Sequence, residues 1–563
     1  MFNRDVFPDI RENGRFREVI QRVEAGAVIS LSKGVTKADD LDSLINYLIR
    51  CGIPRTDIRV RYPDMAPEQM LRSKLSSGLV QSGLSFGADV AEHDSGLARY
   101  FVTTQSYLAI KKRQRHLVIG AKGSGKSAIL RELTADITES SDSLVITPEH
   151  YATDVLDALA KSPTGTEMAA YITTWKYTLL IEIFRRLVQS GLGDSKALAE
   201  IRKYLIDHGH LGGNLSLFER FVGYLRRITK IRGKIGPAEG EVGVDSAREL
   251  EKLFKMDELL GLIPALRRVL RNAPFTVFID ELDQSWNNSE TANRFLVSLL
   301  TAAIQLRGID DNLHVVVFLR SEIFDLLKPT IAQLDKLRSD IEAIQWSPRE
   351  LTNLIVSRAF DSMQINPESV AADAAVGVLF RGVIGHAGVT PFEFIVSRTS
   401  LRPREVIQFC NLALKVAQQL ELPSILPDAV IRAEEEFSVW KLEYIVSENL
   451  YIYPRLDWLL ERFRGQARRL TIRAVDSLLT ESLLDAENDN SAPAWLRGGL
   501  EPPKLLELLY RLEIVGIEKP NTEPLDGRMW EGFDFVFTRP KGKTEHSGSF
   551  LFHPGLWQAL ELV

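Results

Sequence analysis

The chain has 563 residues, too many for one hydrophobic core, so two to four domains are expected. Its composition is that of an ordinary globular protein: 45% apolar, 26% charged, and a net charge of -6 that offers no overall attraction to nucleic acid or membrane. The two cysteines, Cys51 and Cys410, lack metal-ligand spacing, the opening "MFNRDVFPDIRENG" has no apolar leader, and no run of 18 apolar residues occurs, so a cytoplasmic protein without a membrane span is expected.

Residues 1–93 read as a separate region for partner binding or oligomerisation. In "TKADDLDSLINYLIRCG" the apolar residues Leu41, Leu44, Ile45, Leu48 and Ile49 share one face, and Gly52 closes the predicted amphipathic helix. "SKLSSGLVQSGLSFGADV" is rich in Ser and Gly and reads as a linker. The region carries no nuclease, TIR, protease or deaminase motif.

The most specific signal follows, in "HLVIGAKGSGKSAIL". The octet Gly120, Ala121, Lys122, Gly123, Ser124, Gly125, Lys126 and Ser127 fits G-x-x-x-x-G-K-[ST]. Its glycines let successive backbone N–H groups turn inward on phosphate oxygens. Lys126 would then reach the β- and γ-phosphates, and the Ser127 hydroxyl would ligate Mg2+. "HLVIG" predicts a buried strand and "SAILRELTADI" a helix whose positive end meets the same phosphates, the order that ATP and Mg2+ binding requires.

The stretch to the next motif is longer than a minimal nucleotide-binding core needs, and residues 150–265 read as a helical insertion able to hold a partner or second subunit. It contains the predicted amphipathic helix "YITTWKYTLLIEIFRRLVQ" and a predicted hairpin, "RITKIRGKIGPAEGEVGV", turning at Gly236-Pro237. Next, "APFTVFIDELDQSW" supplies a short apolar strand, Phe275 to Ile279, ending in Asp280 and Glu281. A carboxylate at such a strand end can hold Mg2+, and its neighbour can polarise the attacking water; Asp280 takes the first role and Glu281 the second. Asp283 either supports the site or caps the next helix. No N-K-x-D motif for guanine occurs, and no L-S-G-G-Q-type signature precedes this strand, which argues against a GTPase and an ABC-type ATPase.

"LHVVVFLRSEIF" predicts a strand ending at Arg320-Ser321. "IAQLDKLRSDIEAIQWSPRELTNLIVSRAF" predicts helix, short strand, and a helix opened by Ser347 with Glu350 three residues on; Arg338 falls between the first helix and the strand, with Lys336 nearby. "TPFEFIVSRTSLRPREVIQFCNLALKVAQQ" reads as a strand, then Arg398, Arg402 and Arg404 around Pro403, then a helix. Toward the end, "YIYPRLDWLLERFRGQARRLTIR" carries six Arg against two acids. A helix, "KLLELLYRLEIVGI", then leads to alternating "FDFVFTRP", a turn with Lys541 and Lys543, and "GSFLFHPGLW".

The phosphate loop with its Asp-Glu partner resembles the ASCE division of P-loop NTPases. Through "GAKGSGKS", "FIDELDQSW", "VVVFLRSEIF" and "TSLRPREVIQFCN", residues 94–450 resemble AAA-like ATPases of the origin-recognition and STAND branch, close to KAP-like bacterial ATPases. The resemblance implies an α/β fold with a P-loop NTPase (ASCE/AAA-like) core over 94–350, a helical lid over 351–450 and a C-terminal winged-helix-like domain over 451–563. It also implies roles. Arg320 or Ser321 would sense the γ-phosphate, Arg338 or Lys336 would act as a finger on a neighbouring subunit's nucleotide, and Arg402 with Arg404 would reach the nucleotide from the lid. An exposed Arg at a helix end, as at Arg338, also has an everyday use against the helix dipole. Tyr100 and Phe101 would flank adenine or pack the core. ATP hydrolysis, a homo-oligomer and a separate effector protein are implied, often in anti-phage defence. DNA is a further candidate partner, since a winged helix serves either on DNA or in protein docking.

Overall fold

A computed structural model describes residues 19–23, 26–30, 58–61, 67–76, 78–137, 142–147, 168–211, 219–224, 255–283, 286–331, 338–365, 372–385, 388–518, 535–536 and 549–563. The predicted helix at 36–52, the predicted hairpin at 227–244, Lys336, Lys541 and Lys543 lie outside the described residues. The chain divides into two compact units: Thr103–Gln345 with Asn449–Pro454, and a second unit assembled from Met1–Val102, Trp346–Glu448 and Arg455–Val563. No helix among the described residues is long and apolar enough to cross a membrane.

The described residues begin, in the discontinuous unit, with β1 (Val19–Val23), β2 (Gly26–Ser30) and β3 (Ile58–Arg61), in which β2 pairs antiparallel with β1 and parallel with β3. Helix α1 (Pro67–Leu75) follows. The Ser/Gly-rich stretch after it is no linker. Leu71, Leu75, Leu79, Leu84 and Phe86 are buried in one core with Leu351, Ile355, Phe360, Phe380, Phe409 and Phe437. Its small residues serve turns between these apolar anchors; the Ser82 hydroxyl, for example, donates to the Leu79 carbonyl at 2.8 Å.

The continuous unit is built on a parallel sheet. Its elements run α2 (Gln105–Lys111), β4 (Leu117–Gly120), α3 (Lys126–Ala135), β5 (Asp142–Ile146), α4 (Met168–Ser190), α5 (Ser195–Asp207), α6 (Ile263–Leu270), β6 (Phe275–Ile279), α7 (Glu290–Arg307), β7 (Leu313–Arg320), α8 (Ser321–Leu327) and β8 (Ile341–Ala343). The strand order is β5-β6-β7-β4-β8, every pair parallel. The strand sequences "FTVFI" and "LHVVVFLR" are almost wholly apolar because helices cover both faces of such a sheet. From β4 the chain crosses to the far side of β6, and from β7 it crosses back beyond β4. The crevice between β4 and β7 is therefore the point where the winding reverses, the place where α/β sheets accept ligands.

The sequence's amphipathic helix is α4, and it is not amphipathic in place. It buries residues around most of its circumference, among them Tyr171, Trp175, Leu179, Ile181, Ile183, Phe184 and Leu187. A helix packed against the sheet on one side and other helices elsewhere must be apolar nearly all round. Trp175 meets Phe221 at 4.5 Å and Phe295 at 4.9 Å between ring centroids, so α4 and α7 share the sheet's core.

The discontinuous unit resumes with α9 (Pro348–Ser362), α10 (Ala372–Leu379), α11 (Pro391–Ser397), α12 (Pro403–Gln419) and α13 (Pro427–Glu448). Ser347 and Glu350 cap α9 reciprocally, as their spacing predicts. The run before the arginines, "TPFEFIVS", is helix and not strand. Thr390 and Glu393 form a second capping box, with Pro391 opening the first turn. The unit ends in α14 (Leu456–Leu460), β9 (Arg469–Thr471), α15 (Ile472–Asn488), α16 (Pro502–Arg511), β10 (Val515–Glu518), β11 (Phe535–Val536) and β12 (Ser549–Phe552). The last sheet has the order β11-β10-β12-β9 and is antiparallel throughout.

Candidate functional site

The phosphate loop is fixed by short-range geometry. Gly125 precedes α3 at φ 96°, a left-handed conformation that costs an L side chain, and Gly123 shares it at φ 76°. At Gly120, the last residue of β4, an added Cβ would stand 2.3 Å from the Ser124 hydroxyl, so the loop closes on itself only without a side chain there. Lys126 folds back over this turn and donates to the carbonyls of Gly120 at 2.8 Å and Ala121 at 3.1 Å. Burial lowers its pKa, and the nearby carboxylates of Asp283, Glu322 and Asp280 partly offset that effect.

The sheet brings the other groups to the same edge. Gly120 is the register partner of Arg320 across the β4–β7 ladder, while Ile279, just before Asp280, partners Val317 on the far side of β7. Asp280, Arg320 and the loop thus lie at the C-terminal ends of three adjacent strands. Asp280 is buried, its N–H donating to the Ile146 carbonyl at 3.0 Å. Burial raises its carboxyl pKa to about 6, against the pull of the Glu281 N–H and of Lys126. Glu281 takes φ 60°, an unusual backbone for a non-glycine residue and a local strain that places it at the turn after the strand.

Arg320 does not simply mark where its strand meets water. Its side chain is 12% exposed and lies 3.5 Å from Asp283 and 3.4 Å from Glu322. Asp283 does not cap α7, whose cap is Ser289 with its side chain accepting from the Ala292 N–H; the Asp283 carboxylate faces Arg320 instead. Sequence reasoning missed Glu322. Its signal was the "RSE" that ends a buried strand and opens a helix, which puts an acid in the first turn of α8, beside the loop.

Arg338 is exposed on a 3-10 turn, Arg338–Asp340, leading directly into β8. Because Ile341 is in register with Leu117, this turn lies at the N-terminal edge of the sheet, opposite the phosphate loop. Arg402 and Arg404 belong to the discontinuous unit. Arg402 pairs there with Glu448 at 3.1 Å and Glu513 at 2.9 Å, and Arg404 approaches Asp89 at 3.8 Å. Beside them, the fully buried Lys441 donates to Glu405 at 2.7 Å and to the Ser400 hydroxyl at 2.9 Å. These pairs join α12, α13 and the C-terminal segment, and breaking one would strand a buried charge. Tyr100 is buried in the same unit, hydrogen-bonded to Asp94 with Arg358 4.8 Å from its ring. Arg468 donates to the Leu562 carbonyl at 3.1 Å and stacks 4.6 Å from the Trp557 ring.

The raised carboxyl of Asp280 has a measurable consequence. Between about pH 4 and 6 the folded protein keeps a proton that the unfolded chain has released, so this group's contribution to stability falls as pH rises through that window. At neutral pH the ionised carboxylate costs roughly 3 kcal/mol. Asp280→Asn should therefore melt several degrees higher than wild type at pH 7.5 in a metal chelator, with the gap closing at pH 4. Calorimetry that finds the variant no more stable at pH 7.5 would refute a burial penalty at this carboxylate.

Ser127 at the start of α3 and the desolvated Asp280 are hard oxygen donors at the same sheet edge, a set that suits Mg2+ held jointly with nucleotide phosphates. A glycine-rich turn between a buried parallel strand and a helix, with carboxylates and an Arg at the neighbouring strand ends, is an arrangement that can hold phosphate groups. Among known families, residues 349–446 match the FunZ-associated C-terminal helical domain. Over 495 residues the chain is 23% identical to the "Putative transposon gamma-delta 80.3 kDa protein" of Escherichia coli (strain K12), spanning 85% of this chain and 67% of that one. Among solved structures, it is similar to Cdc6p from Pyrobaculum aerophilum at 12% identity, with 83% of this chain and 96% of that one covered and a TM-score of 0.28. It is likewise similar to the Aeropyrum pernix ORC2 protein, at 14% identity, 76% and 86% coverage and a TM-score of 0.31. Drosophila ORC bound to DNA is a third such structure, at 11% identity, 89% and 93% coverage and a TM-score of 0.27.

Proposed function

We propose that the chain is an AAA/STAND-like ATPase that binds and hydrolyses ATP and works as a homo-oligomeric switch for a separate effector protein. The observation that carries this reading is the convergence of Lys126, Asp280, Asp283, Arg320 and Glu322 on one edge of the parallel sheet, with Arg338 exposed on the opposite edge. A residue on that far edge has no reach to its own phosphate loop and suits a neighbour's. A part in bacterial anti-phage defence rests on the family resemblance alone.

Backbone N–H groups of residues 121–126 bind the phosphates, and Lys126 leaves its two carbonyl partners for the β/γ oxygens. Ser127 and Asp280 would hold Mg2+, which when bound supplies charge neutralisation between the phosphates. Glu281 takes the proton of the attacking water. Arg320, held beside Asp283 and Glu322, would offset the charge that grows on the γ-phosphate. Arg338 from an adjacent copy adds a second cation as the transferring group accumulates charge.

Turnover per chain should fall as the protein is diluted through its association range, and Arg338→Ala should keep ATP affinity while losing at least tenfold in kcat. Flat turnover down to concentrations where sedimentation shows only monomer would overturn the shared site. Adding DNA at two salt concentrations tests the other partner class: a stimulation that fades with salt would favour a DNA-handling ATPase.

A further inference from the structure

The turn that carries Arg338 is held from behind on every residue that follows it. The Ser339 carbonyl accepts from Arg115 Nη1 at 2.7 Å. The buried Asp340 carboxylate pairs with Arg307 at the end of α7, and its carbonyl accepts the His116 N–H at 2.9 Å. Glu342 accepts from Arg115 Nε at 3.0 Å and from the Ser106 hydroxyl at 2.8 Å. Beneath this frame, His116 meets His314 edge-on at 4.7 Å, and each ring nitrogen facing inward bonds a backbone carbonyl: Val315 for His116 and Arg115 for His314. Burial lowers the pKa of both rings, His314 to about 3, so the packing behind the turn stays uncharged near neutrality.

Two cations, Arg115 and Arg307, are thus fixed on one three-residue surface turn. Neither belongs to the nucleotide edge, and they hold the first and second residues after Arg338. Arg115 and His116 also lead straight into β4, whose other end is the phosphate loop, so the frame is anchored on a buried strand paired on both sides. We propose that Arg115 and Arg307 are positioning residues for Arg338, fixing the 338–340 turn so that its guanidinium enters a neighbouring subunit's ATP site in a productive geometry. This rests on the reading of Arg338 as a group acting in trans. A loose turn would leave the cation present but misplaced, and a displacement near 1 Å is enough to cost about a hundredfold in rate.

The test uses mixtures of full-length variants hydrolysing ATP with Mg2+. Arg338→Ala chains keep a phosphate loop but lack the cation, and Lys126→Ala chains keep the cation but lack the loop, so mixing the two should restore turnover. A donor carrying Lys126→Ala with Arg115→Ala and Arg307→Ala should restore less than a tenth of that. The same two substitutions placed in the Arg338→Ala acceptor should leave rescue by the Lys126→Ala donor unchanged. Damage to folding would weaken donor and acceptor alike, whereas a positioning role affects donors only. Arg115 and Arg307 are 35% and 41% exposed, so truncating them opens no core. A donor retaining only Arg307→Lys should recover part of the lost rescue. Equal rescue by framed and unframed donors would overturn the proposal and leave the shared site standing, and equal loss in both arms would overturn it in favour of a structural role. No rescue by Lys126→Ala itself would instead remove the trans reading on which the proposal rests.

Discussion

Lys126→Ala should weaken ATP binding by two orders of magnitude or more. The loop's backbone groups are dipoles, and they cannot neutralise the several negative charges of a β/γ-phosphate pair without the one ammonium placed among them. Charge-assisted hydrogen bonds contribute about 1.5–3 kcal/mol each, so removing two such bonds to phosphate at once corresponds to at least a hundredfold in affinity. The lysine already lies desolvated against the Gly120 and Ala121 carbonyls, so moving it onto phosphate exchanges one set of oxygens for a better charged one. Calorimetric titration with ATP and Mg2+ reads this directly. An unchanged affinity would remove the phosphate loop from the mechanism.

Glu281→Gln should separate binding from chemistry. Gln is nearly isosteric and keeps the backbone conformation at φ 60°, so the turn after β6 and the placement of Asp280 are preserved. An amide cannot accept the water's proton, and the loss of a general base typically costs about 10²–10⁴ in rate. ATP affinity should stay within about twofold of wild type while single-turnover hydrolysis slows by that factor. If hydrolysis proceeds at the wild-type rate, the base lies elsewhere, and Asp283, already beside Arg320 and close to Lys126, is the next carboxylate to replace.

The phosphate loop and the Asp280 strand are legible because each is local: strand, turn and helix are contiguous, and every residue type in them has its own reason to be there. Glu322 is not, because its approach to Lys126 depends on β7 lying beside β4, a pairing between segments some two hundred residues apart. The stretch at 73–90 misleads because its Ser and Gly stand out more than Leu75, Leu79, Leu84 and Phe86, whose partners come from distant helices. "TPFEFIVS" shows the known ambiguity of short apolar runs; the capping pair Thr390 and Glu393 is the signal that settles it for helix. For α4, Tyr171, Trp175, Tyr177 and Phe184 spread around the axis against only four charged residues, which points to burial round most of it.

The interrupted unit sets an order of events on the ribosome. Leu71, Leu75 and Phe86 emerge early, yet their partners begin at Leu351, roughly 260 residues later, which is about 13–50 s of synthesis at ~5–20 residues per second. During that interval Thr103–Gln345 of the phosphate-loop unit is synthesised, while the first apolar anchors of the other unit remain unmatched. The nascent chain thus displays these unmatched apolar residues throughout the synthesis of the phosphate-loop unit's main segment. Slowing translation between residues 103 and 345 should lengthen that exposure and raise chaperone dependence, whereas the same pause placed after residue 450 should not.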